Sequence, residues 1–269
     1  MRRRGRRSPS GRAGQVDVPP RALSSWAGVR AAAVHAYTAS GTVLALLIVV
    51  SAIEGAVGRA LWLLLAALVI DGTDGMLARR FAVKERLPRF DGALLDNIVD
   101  YLTYVFAPVV LLWQGGYLPE GTLGTVVAAL PLVASSYQFC RTDAKTDDHF
   151  FLGFPSYWNV LAFYAVAMDL GPATVTALVV VCALLVPVPI QYVYPSRTRT
   201  LRGLTLALSA VWVAAYAVVV AQLPDPSPVA LGVSLAYVAY YLGLSLWLEA
   251  RRRADDDEPA APPRELETA

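Results

Sequence analysis

Apolar residues run along this chain in blocks of roughly 20, longer than strand alternation or a soluble helix's single stripe would produce. The blocks cover residues 33–53, 58–80, 92–114, 121–141, 155–169, 172–194, 201–222 and 229–249. A 20-residue helix rises about 30 Å, the thickness of a bilayer's hydrocarbon core. The pattern predicts an all-α polytopic membrane bundle of about eight transmembrane helices. The fifth block is the shortest, bounded by Pro155 and by Gly171-Pro172. The links at 54–59, 114–121, 169–172 and 222–228 are rich in Gly and Pro, the ordinary residues of turns. Residues 1–30 carry R-R-R-G-R-R with Ser, Gly and Pro, and residues 251–269 pass from basic to D-D-D-E-P-A-A-P-P. Both read as disordered cytoplasmic tails around one membrane domain at 31–250. No apolar stretch directly follows the basic start, so a cleavable signal peptide is not expected.

Charge sets the orientation. With eight spans, every Lys and Arg except Arg59 falls on one face, and that face is cytoplasmic by the positive-inside rule. Removing the fifth span would put the last two basic clusters on the opposite side. The chain of 269 residues is 56% hydrophobic and 16% charged, against about 25% charged in soluble domains, which excludes a soluble globule. The net charge of +2 identifies no partner. The basic termini suit topology and anionic lipid rather than nucleic acid. Cys140 and Cys182 sit in apolar runs and read as buried, unpaired thiols. Two histidines leave little for a zinc site of His and Cys.

Acids interrupt this apolar background at two block ends. Residues 71–79 read D-G-T-D-G-M-L-A-R, and after twelve residues 92–100 read G-A-L-L-D-N-I-V-D. Spacings of three and four put Asp71, Asp74, Gly75, Ala78 and Arg79 on one helical stripe and Gly92, Asp96 and Asp100 on another. If the two helices are antiparallel neighbours, the four carboxylates converge at the cytoplasmic edge of the bilayer. Such charges repel strongly in low dielectric, and a divalent cation resolves the conflict. Oxygen-only ligands favour Mg²⁺ or Mn²⁺. An ion transporter would use such acids as a translocation site, but it predicts acids near the midplane and inverted repeats. No internal repeat is evident.

The pattern D-x-x-D-G-x-x-A-R…G-x-x-x-D-x-x-x-D resembles the signature of the CDP-alcohol phosphotransferases. These integral membrane enzymes move a phosphoalcohol or phosphatidyl group from a CDP carrier to a hydroxyl acceptor and release CMP. Asp71, Asp74, Gly75, Ala78, Arg79, Gly92, Asp96 and Asp100 match the core signature, and Gly72 agrees with part of the family. The spacer from Arg80 to Asp91 is longer than in most members. That spacer, V-K-E-R-L-P-R-F within it, D-Y-L-T-Y-V-F-A-P after Val99, G-F-P-S-Y-W-N-V-L-A-F-Y at 153–164 and Y-P-S-R-T at 194–198 are similar to the bacterial phosphatidylcholine synthases.

The resemblance implies transfer of a phosphatidyl group from CDP-diacylglycerol to choline by a multi-pass protein of the bacterial inner membrane, working as a homodimer. Serine, inositol phosphate and glycerol phosphate are the alternative acceptors. By the same resemblance Asp71, Asp74 and Asp96 hold Mn²⁺ or Mg²⁺. Asp100 is the general base and a possible ligand to a second ion, and Gly75, Ala78, Arg79 and Gly92 line the CDP pocket. Small residues at 75, 78 and 92 suit a nucleotide lying close to helix backbones. Arg141, Arg197 and Arg199, with Arg202, are candidates for the lipid phosphates. Tyr101 and Tyr104 flank the acids and are candidates for the quaternary ammonium, which aromatic faces attract.

Overall fold

The structure is a computed structural model and describes residues 26–146 and 148–257, with side chains as far as residue 254. Helices dominate it. They are α1 (Trp26–Ile53), α2 (Val57–Arg80), the single turn α3 (Val83–Arg86), α4 (Gly92–Asp100), α5 (Ala107–Gln114), α6 (Gly121–Cys140), α7 (Trp158–Ala167), α8 (Pro172–Leu185), α9 (Arg202–Ala221) and α10 (Pro228–Asp257). A π-helical turn, Tyr101–Phe106, joins α4 to α5 into one continuous rod. Every apolar block of the sequence contains a helix, in the expected order. Among the described residues six helices are long and apolar enough to cross a membrane, and the chain is a multi-pass membrane protein. At ten and 14 residues, α7 and α8 rise only about 15 and 21 Å, short of the hydrocarbon thickness.

Three boundaries differ from the sequence reading. Residues 26–30 and 251–257, assigned to tails, are helical, and the remainder of both tails lies outside the described residues. The sixth block leaves the helix at Leu185, because Pro187 and Pro189 remove the backbone donors that a further turn would need. Residues Gln191–Val193 then form strand β2, which pairs antiparallel with β1 (Phe150–Leu152), Phe150 opposite Val193 and Leu152 opposite Gln191. This strap, absent from the all-α expectation, is pinned to α10. Ser245 Oγ accepts from Val193 N at 3.1 Å, and the buried Glu249 accepts from Gln191 N at 3.3 Å. Both cysteines are free, but Cys140 is exposed at the end of α6 rather than buried.

Helix α1 holds the two acid-bearing helices together. Toward α2, Thr38 Oγ1 donates to Asp74 Oδ2 at 2.8 Å, and the Tyr37 and Thr73 hydroxyls lie 2.9 Å apart. Toward α4, Gly41 sits so close to Val99 that any Cβ would run into its Cγ1. Small residues at a crossing let membrane helices approach in this way. Helix α4 starts on Asp91, whose side chain caps the amides of Ala93 and Leu94 at 3.1 and 3.0 Å.

Candidate active site

Helix α2 presents Asp71 and α4 presents Asp96 and Asp100 to one point. One carboxylate oxygen from each lies within 4.8 Å of the others. At that spacing ionised carboxylates repel one another strongly, and a shared proton or a bound cation relieves the repulsion. Oxygens on opposite sides of Mg²⁺ stand about 4.2 Å apart, and around Ca²⁺ about 4.8 Å. The three acids therefore fit one hard divalent ion, with oxygen donors only. Asp74 stands beside this group rather than in it. It is buried, accepts from Thr38, and is coupled by charge to Asp71 and Asp96.

The π turn begins immediately after Asp100 and carries both tyrosines proposed from sequence. Such turns recur at functional sites because they re-aim side chains within a helix. Tyr104 is nearly buried, and its hydroxyl donates to Asp71 Oδ2 at 2.6 Å. Its ring belongs to an aromatic wall with Tyr157, 6.2 Å away, which in turn meets Tyr241 at 6.1 Å and Phe151 at 6.4 Å. Tyr101 points elsewhere: its hydroxyl donates to Leu132 O on α6 at 3.0 Å.

The small residues divide by role. A Cβ on Gly75 would meet only the Arg79 guanidinium at 3.4 Å, and one on Gly72 would meet nothing. The α2 backbone is thus bare on that side. At Gly92 the space is filled from within, because a Cβ there would stand 2.7 Å from the His35 ring. Ala78 packs against a small buried cluster of Ala31, Val34 and Val83. Arg79 is exposed and coupled by charge to Asp74.

Among the arginines, Arg141 is already engaged. Its guanidinium grips both oxygens of Asp143 at 2.7 Å and reaches Leu152 O at 3.3 Å. That grip holds the Asp143 carboxyl below its usual range. Arg197 lies over the Tyr194 ring, 5.8 Å from its centroid, and Arg199 is exposed on the same turn. Sequence reasoning missed Thr38, His35 and Lys145. The first two lie on another helix, with no spacing relation to the motif. The third was counted only as a topological charge, although it interacts electrostatically with Asp71, Asp96 and Asp100.

A family model described as CDP-alcohol phosphatidyltransferase matches residues 35–250. Over 218 residues the chain is 40% identical to the phosphatidylcholine synthase of Pseudomonas aeruginosa, an alignment covering 81% of this chain and 91% of that protein. The phosphatidylcholine synthase of Legionella bozemanae is 42% identical over 195 residues, covering 70% and 89% of the two chains. That of Borreliella burgdorferi is 35% identical over 224 residues, covering 82% and 94%.

Proposed function

The chain belongs to the CDP-alcohol phosphatidyltransferase family, and from that premise we propose that it is a phosphatidylcholine synthase, with CDP-diacylglycerol as donor and choline as acceptor. The observation that carries the chemistry is the meeting of Asp71, Asp96 and Asp100 from two helices. The choice of choline is supported by relatives bearing that name along most of their length.

The choline oxygen attacks the phosphorus that bears the diacylglycerol. A new oxygen–phosphorus bond forms, and the bond to the CMP phosphate breaks, its electron pair leaving with CMP. The hydroxyl proton passes to the Asp100 carboxylate. When bound, Mn²⁺ or Mg²⁺ offsets the carboxylate charges and stabilises negative charge on the phosphate oxygens. Asp71 and Asp96 hold that ion, with Asp100 contributing and Asp74 supporting from its hydrogen bond to Thr38. Tyr104 keeps Asp71 in its rotamer through the bond to Oδ2. Gly75 and Arg79 form the nucleotide side of the pocket, Ala78 and Gly92 pack the helices behind it, and Arg197 and Arg199 face the lipid phosphates. Holding the acceptor oxygen in line with phosphorus supplies much of the remaining acceleration. The site opens on the cytoplasmic side of the bacterial inner membrane, where a soluble alcohol meets a lipid-borne donor, and the working form is a homodimer.

The test is purified full-length protein with CDP-diacylglycerol, Mn²⁺ or Mg²⁺, and radiolabelled choline, serine, glycerol phosphate or inositol phosphate. Label from choline should enter lipid with stoichiometric CMP. Incorporation of serine or a phosphorylated alcohol without choline moves the assignment to that acceptor.

A further inference from the structure

The loop after α6 carries a cation outside the signature, Lys145, that interacts electrostatically with Asp71, Asp96 and Asp100. Lys145 forms an antiparallel bridge with Phe151, so the segment folds back along the outer edge of the strap. Leu152 N donates to Ala144 O and Thr146 N to Phe150 O, both at 3.0 Å, which fixes the turn. Phe151 stacks on Tyr194 with centroids 4.4 Å apart, and the Lys145 ammonium lies 5.9 Å from the same Tyr194 ring. From Phe151 the rings continue through Tyr157 and Tyr104 to the hydroxyl on Asp71. Lys145 is exposed, and among the described residues it is in no ion pair, whereas nearby Arg141 is committed to Asp143.

We propose that Lys145 is a donor-binding residue: its ammonium contacts the diphosphate of the CDP-linked lipid at the mouth of the acid cluster. The charge balance calls for such a group. Asp71, Asp96 and Asp100 crowd one point with Asp74 beside them, and an incoming diphosphate meets that negative charge, which a cation outside the cluster facing the diphosphate helps to offset. The exposed ammonium on this strap-held loop supplies that charge as a point donor. The inference rests on the reading of a CDP-linked lipid as donor.

The experiment is equilibrium binding of CDP-diacylglycerol to the detergent-purified full chain with Mn²⁺ and without choline, so that no transfer to choline occurs. Lys145→Met should weaken binding about 10- to 100-fold, the usual cost of losing a charge-assisted contact. Lys145→Arg should stay within about threefold of wild type. Unchanged affinity in Lys145→Met overturns the proposal. Equal weakening in both variants also overturns it, because packing rather than charge would then be responsible. A third overturning result is lowered Mn²⁺ affinity with donor affinity intact, which would make Lys145 a counter-ion of the acids. If wild type itself fails to bind CDP-diacylglycerol, the proposed function falls as well. If wild type binds and Lys145→Met binds equally, only the role of Lys145 falls.

Discussion

Asp71 is held by the Tyr104 hydroxyl at 2.6 Å and stands beside the Asp96 and Asp100 carboxylates. A group that orients a metal ligand commonly accounts for 10- to 100-fold in metal affinity or activity. Tyr104→Phe keeps the ring in the aromatic wall and removes only the donor. It should raise the Mn²⁺ concentration for half-maximal activity by about that factor, and an unchanged metal titration would remove Tyr104 from this role. Asp100→Asn should still bind CDP-diacylglycerol while turnover to choline is lost, read by donor binding and label transfer on one preparation. Wild-type turnover would take the proton-accepting role from Asp100. Thr38→Val leaves a buried Asp74 carboxylate short of a donor, at a cost of about 1–3 kcal/mol in thermal unfolding. Spacing made the four acids legible, because helical periodicity alone places Gly92, Asp96 and Asp100 in line. Tyr104 is the next position on that stripe. Its partnership with Asp71 was not legible, since a hydroxyl's partner 33 residues away has no local signature. The same is true of Thr38, which lies 36 residues from the acid it serves.

At the scale of elements, the acid cluster depends on a third helix that carries none of its acids. Helix α1 grips α2 through Thr38 and Tyr37 and seats α4 against Gly41 and His35. A methyl group at Gly41 has no space, because the branched Val99 side chain cannot swing away as a long flexible one could. Gly41→Ala should therefore push α4 outward, cost about 1–3 kcal/mol, and reduce activity by spreading the three carboxylates. Val99→Ala in the same chain removes the obstructing methyl groups and should restore at least half of both losses. Purely additive losses in the double mutant would show that the contact does not govern the site. Hydropathy located the main helices within its eight apolar blocks because apolar length is what it measures. It could not find the π turn after Asp100, the exit from α8 at Leu185 or the strap. The exit and the strap are set by prolines within an apolar run and by side chains of α10, Ser245 and Glu249, that satisfy the backbone of β2.

For the whole molecule, orientation decides which compartment reaches the site, and the chain carries its own probe of it. Cys140 ends α6 as an exposed free thiol next to Arg141, on the same loop as Lys145, whereas Cys182 is half-buried in α8. The loop between α9 and α10 belongs to the opposite face in the arrangement derived from the basic residues, and Asp225 is exposed there. In a Cys182→Ser background, a membrane-impermeant maleimide should label Cys140 in inverted inner-membrane vesicles and leave it untouched in intact spheroplasts. Asp225→Cys in a Cys140→Ser, Cys182→Ser background should show the reverse. Labelling of Cys140 from outside would place the strap and its cations on the side opposite to the proposed cytoplasmic site, and the orientation would have to be inverted. The result also bears on α7 and α8. Both are too short to cross the hydrocarbon alone, and the charge argument needs them to contribute an even number of crossings, two or none. Cys140 precedes that pair in the chain and position 225 comes after it, so opposite labelling is obtained only if the chain between them crosses the bilayer an odd number of times. With α9 crossing once, α7 and α8 must together contribute an even number. Same-side labelling would instead require one of them to span by itself, against its length.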